Sequence, residues 1–359
     1  MFVVCGEALF DVFAVQDTPT GMMLDARIGG SPFNVAVGLS RLAQPVAFFG
    51  GISKGFLGDR LGAALKAEGI APDCVQWLDA PTTLSLIGVD ASGVPSYSFY
   101  GAGCADRQLP MNALDTLPAA TQAIHFGSYA MVVEPVASVQ RALVEREHQR
   151  RVIAYDPNVR LNVEPSLDRW RDTLDWMAAR THLLKVSDED LGLLYPGVAF
   201  AELAQRWRAA GVRAVVVTRG GEGALAWTAA GEFEVAPVRT TVVDTVGAGD
   251  TFQAAMLTRL AELGALSPEG LSTLSLPAWQ GVLAFAAQAA AITCGRRGRI
   301  CRVGRSCLEG WCGRHAIRLL RPARASGIGG AIPLMSPGPR PPPLLRSITP
   351  PIPAARNRQ

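Results

Sequence analysis

Nine consecutive residues, Asp244-Thr245-Val246-Gly247-Ala248-Gly249-Asp250-Thr251-Phe252, carry the clearest chemical signal in the chain. Gly247, Ala248 and Gly249 let the backbone turn sharply and expose successive N–H groups. A helix is expected directly afterwards, through Ala254–Leu263, so those N–H groups would sit at its positive end, where an anion is favoured. Asp250 falls in the first helical turn, beside whatever the N–H groups hold. A phosphoryl group above the turn and a hydroxyl beside Asp250 would make a phosphotransfer site, with the carboxylate taking the hydroxyl proton. A glycine-rich loop closed by an aspartate is also a common helix start, but nine residues in this order favour the anion reading. The chain has no G-x-x-x-x-G-K-[ST] string, so a P-loop NTPase is excluded.

The elements that must position this loop alternate. Phe2–Cys5, Val46–Phe49, Ala123–Phe126, Val152–Tyr155, His182–Val186 and Ala214–Thr218 are short apolar runs that read as strands. Asn34–Leu42, Leu57–Glu68, Val136–Arg150, Trp170–Ala179 and Phe200–Ala210 read as helices between them. This rhythm predicts an α/β fold with a mostly parallel sheet covered on both faces. Two regions break it. Ser85–Val89 and Ser96–Tyr100 flank the turn cluster Asp90–Pro95, and Val12–Ile28 has similar β character around a Pro-Thr-Gly turn. Antiparallel pieces set into an α/β chain predict a small β lid over a site, built from about residues 12–28 and 82–104.

Over about residues 1–298 the chain resembles the PfkB family of carbohydrate kinases, which have the ribokinase-like three-layer fold. Three motifs in the expected order carry the resemblance: Gly6-Glu7-Ala8-Leu9-Phe10-Asp11, Gly29-Gly30-Ser31-Pro32-Phe33-Asn34-Val35-Ala36, and the loop ending in Asp250. Alone, Asp11 would read as a turn cap; its place in the first motif implies a sugar-binding carboxylate at the end of a strand. Gly30 permits close backbone approach to a ligand, and Asn34, at a helix start, offers an amide to a hydroxyl. Asp156-Pro157-Asn158-Val159-Arg160 is placed by the resemblance beside the transferred phosphoryl, with Arg160 toward sugar or phosphate oxygens. Glu134 falls where related kinases carry a site-facing acid.

The nucleotide side follows the same resemblance. Lys185-Val186-Ser187-Asp188-Glu189-Asp190 stands where the family has Asn-x-x-Glu. Ser187 replaces the Asn, and either Glu189 or Asp190 would hold Mg²⁺ through its water shell. Lys185 is one of only three Lys in the chain, against 31 Arg, and a compact ammonium suits phosphates. Thr218, Gly220 and Gly223 match a nucleotide loop, and Ala284–Thr293, with Gln288, matches the helix that lines the adenine pocket. The implied cofactors are ATP and Mg²⁺, with a monovalent cation as a further component. Three strings, Cys5–Asp11, Asp156–Arg160 and Phe99–Arg107, look most like bacterial fructokinases. The expected reaction is transfer from ATP to the 6-hydroxyl of D-fructose, with Asp250 as general base. The alternatives are a 2-keto-3-deoxygluconate or ribose kinase, or a sugar-binding relative without catalysis. The resemblance also implies a homodimer formed through the lid.

Net charge is misleading when read whole. The formal total is +3, yet the 61 residues from Arg299 onward contain eleven Arg, no Lys and a single acid, Glu309. That stretch carries +10, and residues 1–298 carry −7. An acidic main domain argues against nucleic acid or anionic lipid as a partner. The stretch 299–359 also holds ten of the 25 Pro. It reads as a disordered Arg/Pro-rich tail and, in a chain of GC-rich codon bias, as a frameshift product. Cys301, Cys307, Cys312 and His315 fit no common zinc spacing. Seven Cys without a regular framework point to the cytoplasm. The twelve-residue apolar run Val282–Thr293 is too short to span a bilayer and reads as a buried helix.

Overall fold

The computed structural model describes residues 1–89 and 95–296. The chain divides into units Met1–Arg318 and Leu319–Gln359, and all described residues belong to the first. The expected lid turn at Asp90–Pro95, apart from Pro95, and the tail from 299 onward lie outside the described residues.

Nine strands form the main sheet: β1 (Phe2–Cys5), β4 (Val46–Ser53), β5 (Val75–Leu78), β8 (Ala123–Gly127), β9 (Val152–Asp156), β10 (Leu183–Ser187), β11 (Ala214–Thr218), β12 (Ala224–Thr228) and β13 (Gly231–Val235). Their order is β13-β12-β11-β10-β9-β8-β1-β4-β5, parallel from β11 to β5, with β12 and β13 antiparallel at one edge. The central strands are apolar along their whole length because helices cover both faces. Residues alternate between two cores. Phe2, Val4, Val152, Ala154, Leu183 and Val216 join one core, whereas Val3, Cys5, Ile153, Tyr155, Leu184 and Val217 join the other.

The first core is completed by α1 (Ser31–Arg41), α2 (Phe56–Ala67), α7 (Ala248–Glu262), α8 (Pro268–Thr273) and α9 (Leu276–Cys294). The second is completed by α3 (Val136–Glu147), α4 (Leu167–Ala178), α5 (Asp188–Leu194) and α6 (Phe200–Ala210). The fold is thus the expected α/β arrangement of three layers. Buried Ala254 and Ala255 on α7 present only small side chains where α1, α7 and α9 pack together. Among the described residues no helix is long and apolar enough to cross a membrane.

The segments expected to form a lid make a second sheet of four strands: β2 (Leu9–Thr18), β3 (Gly21–Gly29), β6 (Leu84–Val89) and β7 (Pro95–Tyr100), in the order β3-β2-β6-β7. Its hairpin tip exposes Val15, Met22, Met23 and Leu24.

Three details differ from the sequence reading. The strand from Val46 was expected to stop at Gly50-Gly51, but β4 continues to Ser53 because β5, which was not anticipated, pairs with Gly50–Ser53. Asp11 does not end a strand. The first strand stops at Cys5, and Asp11 is the third residue of β2, paired with Arg27 of β3. Asn34 lies in the first turn of α1 as its fourth residue rather than at its start, because the helix already begins at Ser31, before Pro32.

Candidate functional site

The parallel strands end on one side of the sheet, and the chemistry-bearing residues collect there, as expected for an open α/β sheet. Asp156 closes β9, Ser187 closes β10 and Thr218 closes β11. Strand parity decides what meets what. Ala123 and His125, Ala154 and Asp156, and Leu183 and Lys185 share the face that packs under α1 and α7.

Helix α7 starts at Ala248 after Gly247, which has φ +79°. That left-handed geometry turns the following N–H groups outward and strains any residue with a Cβ. Asp250 is buried in the first turn. Ser31 Oγ donates to its Oδ1 at 2.6 Å and Asn34 Nδ2 donates to its Oδ2 at 2.8 Å. Burial raises the Asp250 carboxyl above the ordinary range, and the bonds from Ser31 and Asn34 and the charge of Lys185 pull it back down. Lys185 is also buried and pairs with Asp156 Oδ2 at 2.6 Å. A Cβ on Gly249 would stand 3.2 Å from the Lys185 ammonium, so the cation lies directly against the turn before Asp250. A helix N-terminus, a buried ammonium and a carboxylate therefore converge. That set can hold a polyanion and deprotonate a hydroxyl.

Asp190 and Glu189, left open in the sequence, separate cleanly. Glu189 is exposed, whereas Asp190 is buried and its Oδ1 accepts the Val159 N–H at 3.1 Å. Burial and the charge of Asp156 raise Asp190 to about 6, against the opposing effects of Ser187, Arg160 and Lys185. Asp156 keeps its second oxygen, Oδ1, buried without a hydrogen-bond partner. Among the described residues no group of three or more His, Cys, Asp or Glu is placed to hold a metal by itself.

The remaining expected residues have mixed fates. Gly30 has φ +104°, and a Cβ there would lie 2.5 Å from the Glu7 carbonyl oxygen, so close backbone approach is real but involves the chain itself. Asp11 lies beside Gly29 at the base of the lid. Arg160 is exposed, bonds its own neighbour's carbonyl at Val159 and sends its charge toward Asp190 and Glu7. Ser187 caps α5 by accepting the Asp190 N–H. Thr218 ends β11 and Gly220 opens the following 3-10 turn with φ +48°. A Cβ at Gly223 would collide with the Val235 carbonyl, so that glycine serves the antiparallel edge. Gln288 is buried in α9. Glu134 is exposed, bound by Arg141 and by the Ser138 N–H.

Several participants escaped the sequence reading. Ser31 was quoted only as part of a motif. His125 was not among the expected site residues, yet it is buried against Gln253 of α7 and held neutral, near 4, chiefly by burial. Its position in strand parity with Asp156 and Lys185 was the available signal. A second buried group surrounds Glu7, which follows β1, and Asp106. Asp106 accepts from Thr83 and, at 2.8 Å, from Tyr129. Burial raises Glu7 to about 8 despite a bond from Ser128. Phe99 of the lid stacks edge-on against Tyr129. These contacts anchor the lid to the sheet between β1 and β8.

Comparison with known proteins agrees with this geometry. The pfkB family carbohydrate kinase profile matches residues 1–302. A fructokinase of Rhizobium leguminosarum bv. trifolii is 35% identical over 260 residues, 72% of this chain and 79% of that protein. A probable chloroplastic fructokinase-6 of Arabidopsis thaliana is 31% identical, over 72% of this chain and 70% of its own. Among solved structures, a fructokinase of Xylella fastidiosa with bound ATP superposes with a TM-score of 0.78 at 24% identity, covering 88% of this chain and 98% of that one. A Vibrio cholerae O395 fructokinase double mutant holding fructose, ADP and potassium ion gives 0.72 at 22% identity, over 86% and 97%. These two likenesses carry the fold, and the profile and the curated relatives carry the family. The chain belongs to the pfkB family of carbohydrate kinases.

Proposed function

We propose that this kinase phosphorylates D-fructose at its 6-hydroxyl with ATP. The observation that carries the chemistry is the convergence of Asp250, the α7 N-terminus and the Lys185 ammonium at one point. Asp250 takes the hydroxyl proton as the oxygen–phosphorus bond forms. The bond between the γ-phosphorus and the bridging oxygen breaks, and ADP leaves with that oxygen. Lys185 and the N–H groups after Gly247 hold the phosphoryl oxygens. Fructose as the sugar is supported by the names of the relatives and by the strings Cys5–Asp11 and Asp156–Arg160.

Asp190 and the unpartnered oxygen of Asp156 are hard donors suited to Mg²⁺ through its waters. The ion would supply charge neutralisation on the phosphates. The potassium-bound Vibrio structure supports a monovalent cation as well. Asp11, Gly30, Asn34 and Arg160 form the sugar side of this reading. Thr218, Gly220 and Gln288 form its nucleotide side. Free thiols at the four described cysteines support a cytoplasmic setting, and the exposed apolar tip of the lid supports a homodimer.

A coupled assay of ADP release over fructose, ribose and 2-keto-3-deoxygluconate tests the substrate. Fructose is expected to give the highest kcat/KM, and a higher value for either other sugar replaces it. Sugar binding by calorimetry without any turnover would instead support the non-catalytic relative.

A further inference from the structure

The first turn of α1 carries a side chain that the proposed reaction has not yet used. Ser31 is the first residue of α1, and α1 has no side-chain cap. A hydroxyl here commonly serves its own helix. Instead Ser31 Oγ reaches across to α7 and donates to Asp250 Oδ1 at 2.6 Å, while Asn34 Nδ2 holds Oδ2 at 2.8 Å. Ser31, Asn34 and Asp250 are all buried.

A carboxylate turns easily about its last bond, since that torsion is broad and twofold. Two donors, one at each oxygen and both from the same helical turn, fix its plane. Each oxygen retains a further lone pair for a substrate proton. We infer that Ser31 is a positioning residue of the phosphotransfer site, setting the orientation of the Asp250 carboxylate and supporting its ionised form in a buried place. The inference rests on the phosphotransfer reading of Asp250.

The other charges facing Asp250 are few. Lys185 comes from β10 and Asp156 from β9, and they pair with each other. His125 of β8 is neutral. The remaining support for the carboxylate comes from the two α1 donors. A hydrogen bond to a charged group is among the stronger ones, so its removal is measurable.

Ser31→Ala and Ser31→Thr test the inference, with thermal melts to verify folding. In the Ala variant kcat should fall about 10- to 100-fold, KM for the sugar should change less than about threefold, and the acidic limb of the kcat profile should move to higher pH. The Thr variant keeps a hydroxyl and should recover most of kcat. A kcat within about twofold of wild type in the Ala variant overturns the inference, as does an unmoved acidic limb. Equal losses in both variants with unchanged melts overturn it too. If the wild type turns over no sugar, the kinase reading itself fails. A carboxyl-carbon NMR titration of Asp250 still decides the role of Ser31: an upward shift in the Ala variant supports it, and an unchanged titration overturns it.

Discussion

Two groups of buried carboxyls lie near the ends of the parallel strands, and they are accommodated by opposite means. Around Asp250 the acids are met by charge and strong donors. Lys185 pairs with Asp156, Ser31 and Asn34 bond Asp250, and α7 presents its N-terminus. Around Glu7 the partners are hydroxyls. Thr83 and Tyr129 bond Asp106, and Ser128 bonds Glu7. Arg107 is close, but it stacks over Phe99 and Tyr129. Burial is the largest influence on Glu7, as it is on Asp250, and the charge of Arg160 offsets it only in part, so Glu7 is raised to about 8. A phosphotransfer site needs an ionised acid and a cation for phosphates. A lid anchor needs only satisfied hydrogen bonds, so a protonated acid serves it well.

Three substitutions would break or sharpen that contrast. Asp250→Asn has the largest expected effect. It keeps the shape, removes the proton acceptor, and should lower kcat about 10³-fold while KM for the sugar changes little. The coupled ADP assay checks it, and near-normal turnover would refute the base assignment.

Lys185→Met comes next. The loss of the ammonium beside Gly249 should cost about 10²-fold in kcat/KM for ATP. It also strands the Asp156 carboxylate, so the chain should lose about 3 kcal/mol in a denaturant melt. Adding Asp156→Asn should restore much of that stability without restoring activity. Recovery of both together would mean that Lys185 acts only through the fold.

Glu7→Gln has the smallest expected effect on turnover and reads the other region. Glu7 ionises near its ordinary value of 4.5 when unfolded and near 8 when folded. Between those values the folded chain holds a proton that the unfolded chain has released. Its stability should therefore fall as pH rises through that window and level off above it. The Gln variant should lack this fall, which sums to on the order of 5 kcal/mol across the window. Melts at several pH values check the sign, and an equal slope in both proteins would place the ionised acid in the folded state.

Much of the architecture was legible beforehand, because apolar strands buried on both faces announce themselves as short continuous runs. The turn at Gly247–Gly249, the first helical turn at Asp250 and the two antiparallel β segments were likewise readable from local residue order. The strands β5 and β12 were not. They are short or partly polar, and pairing with β4 and β11 holds them more than any local pattern does. Lys185 stood out by rarity and Asp156 opened a quoted string, but their pairing was not readable, since it joins adjacent strands 29 residues apart.

The sequence by itself determined the kinase family, the α/β rhythm, and the acidic main domain hidden inside a basic total, and it singled out the loop that ends in Asp250. Tertiary structure alone decided the company each acid keeps. Ser31 and Asp250 are separated by 219 residues and meet only because α1 and α7 pack on one face of the sheet. Glu189 and Asp190 are neighbours in the chain, yet one faces solvent and the other is buried against the Val159 N–H. The ionisation state of a buried acid depends on such partners and on lost solvent, neither of which is a local property of the chain.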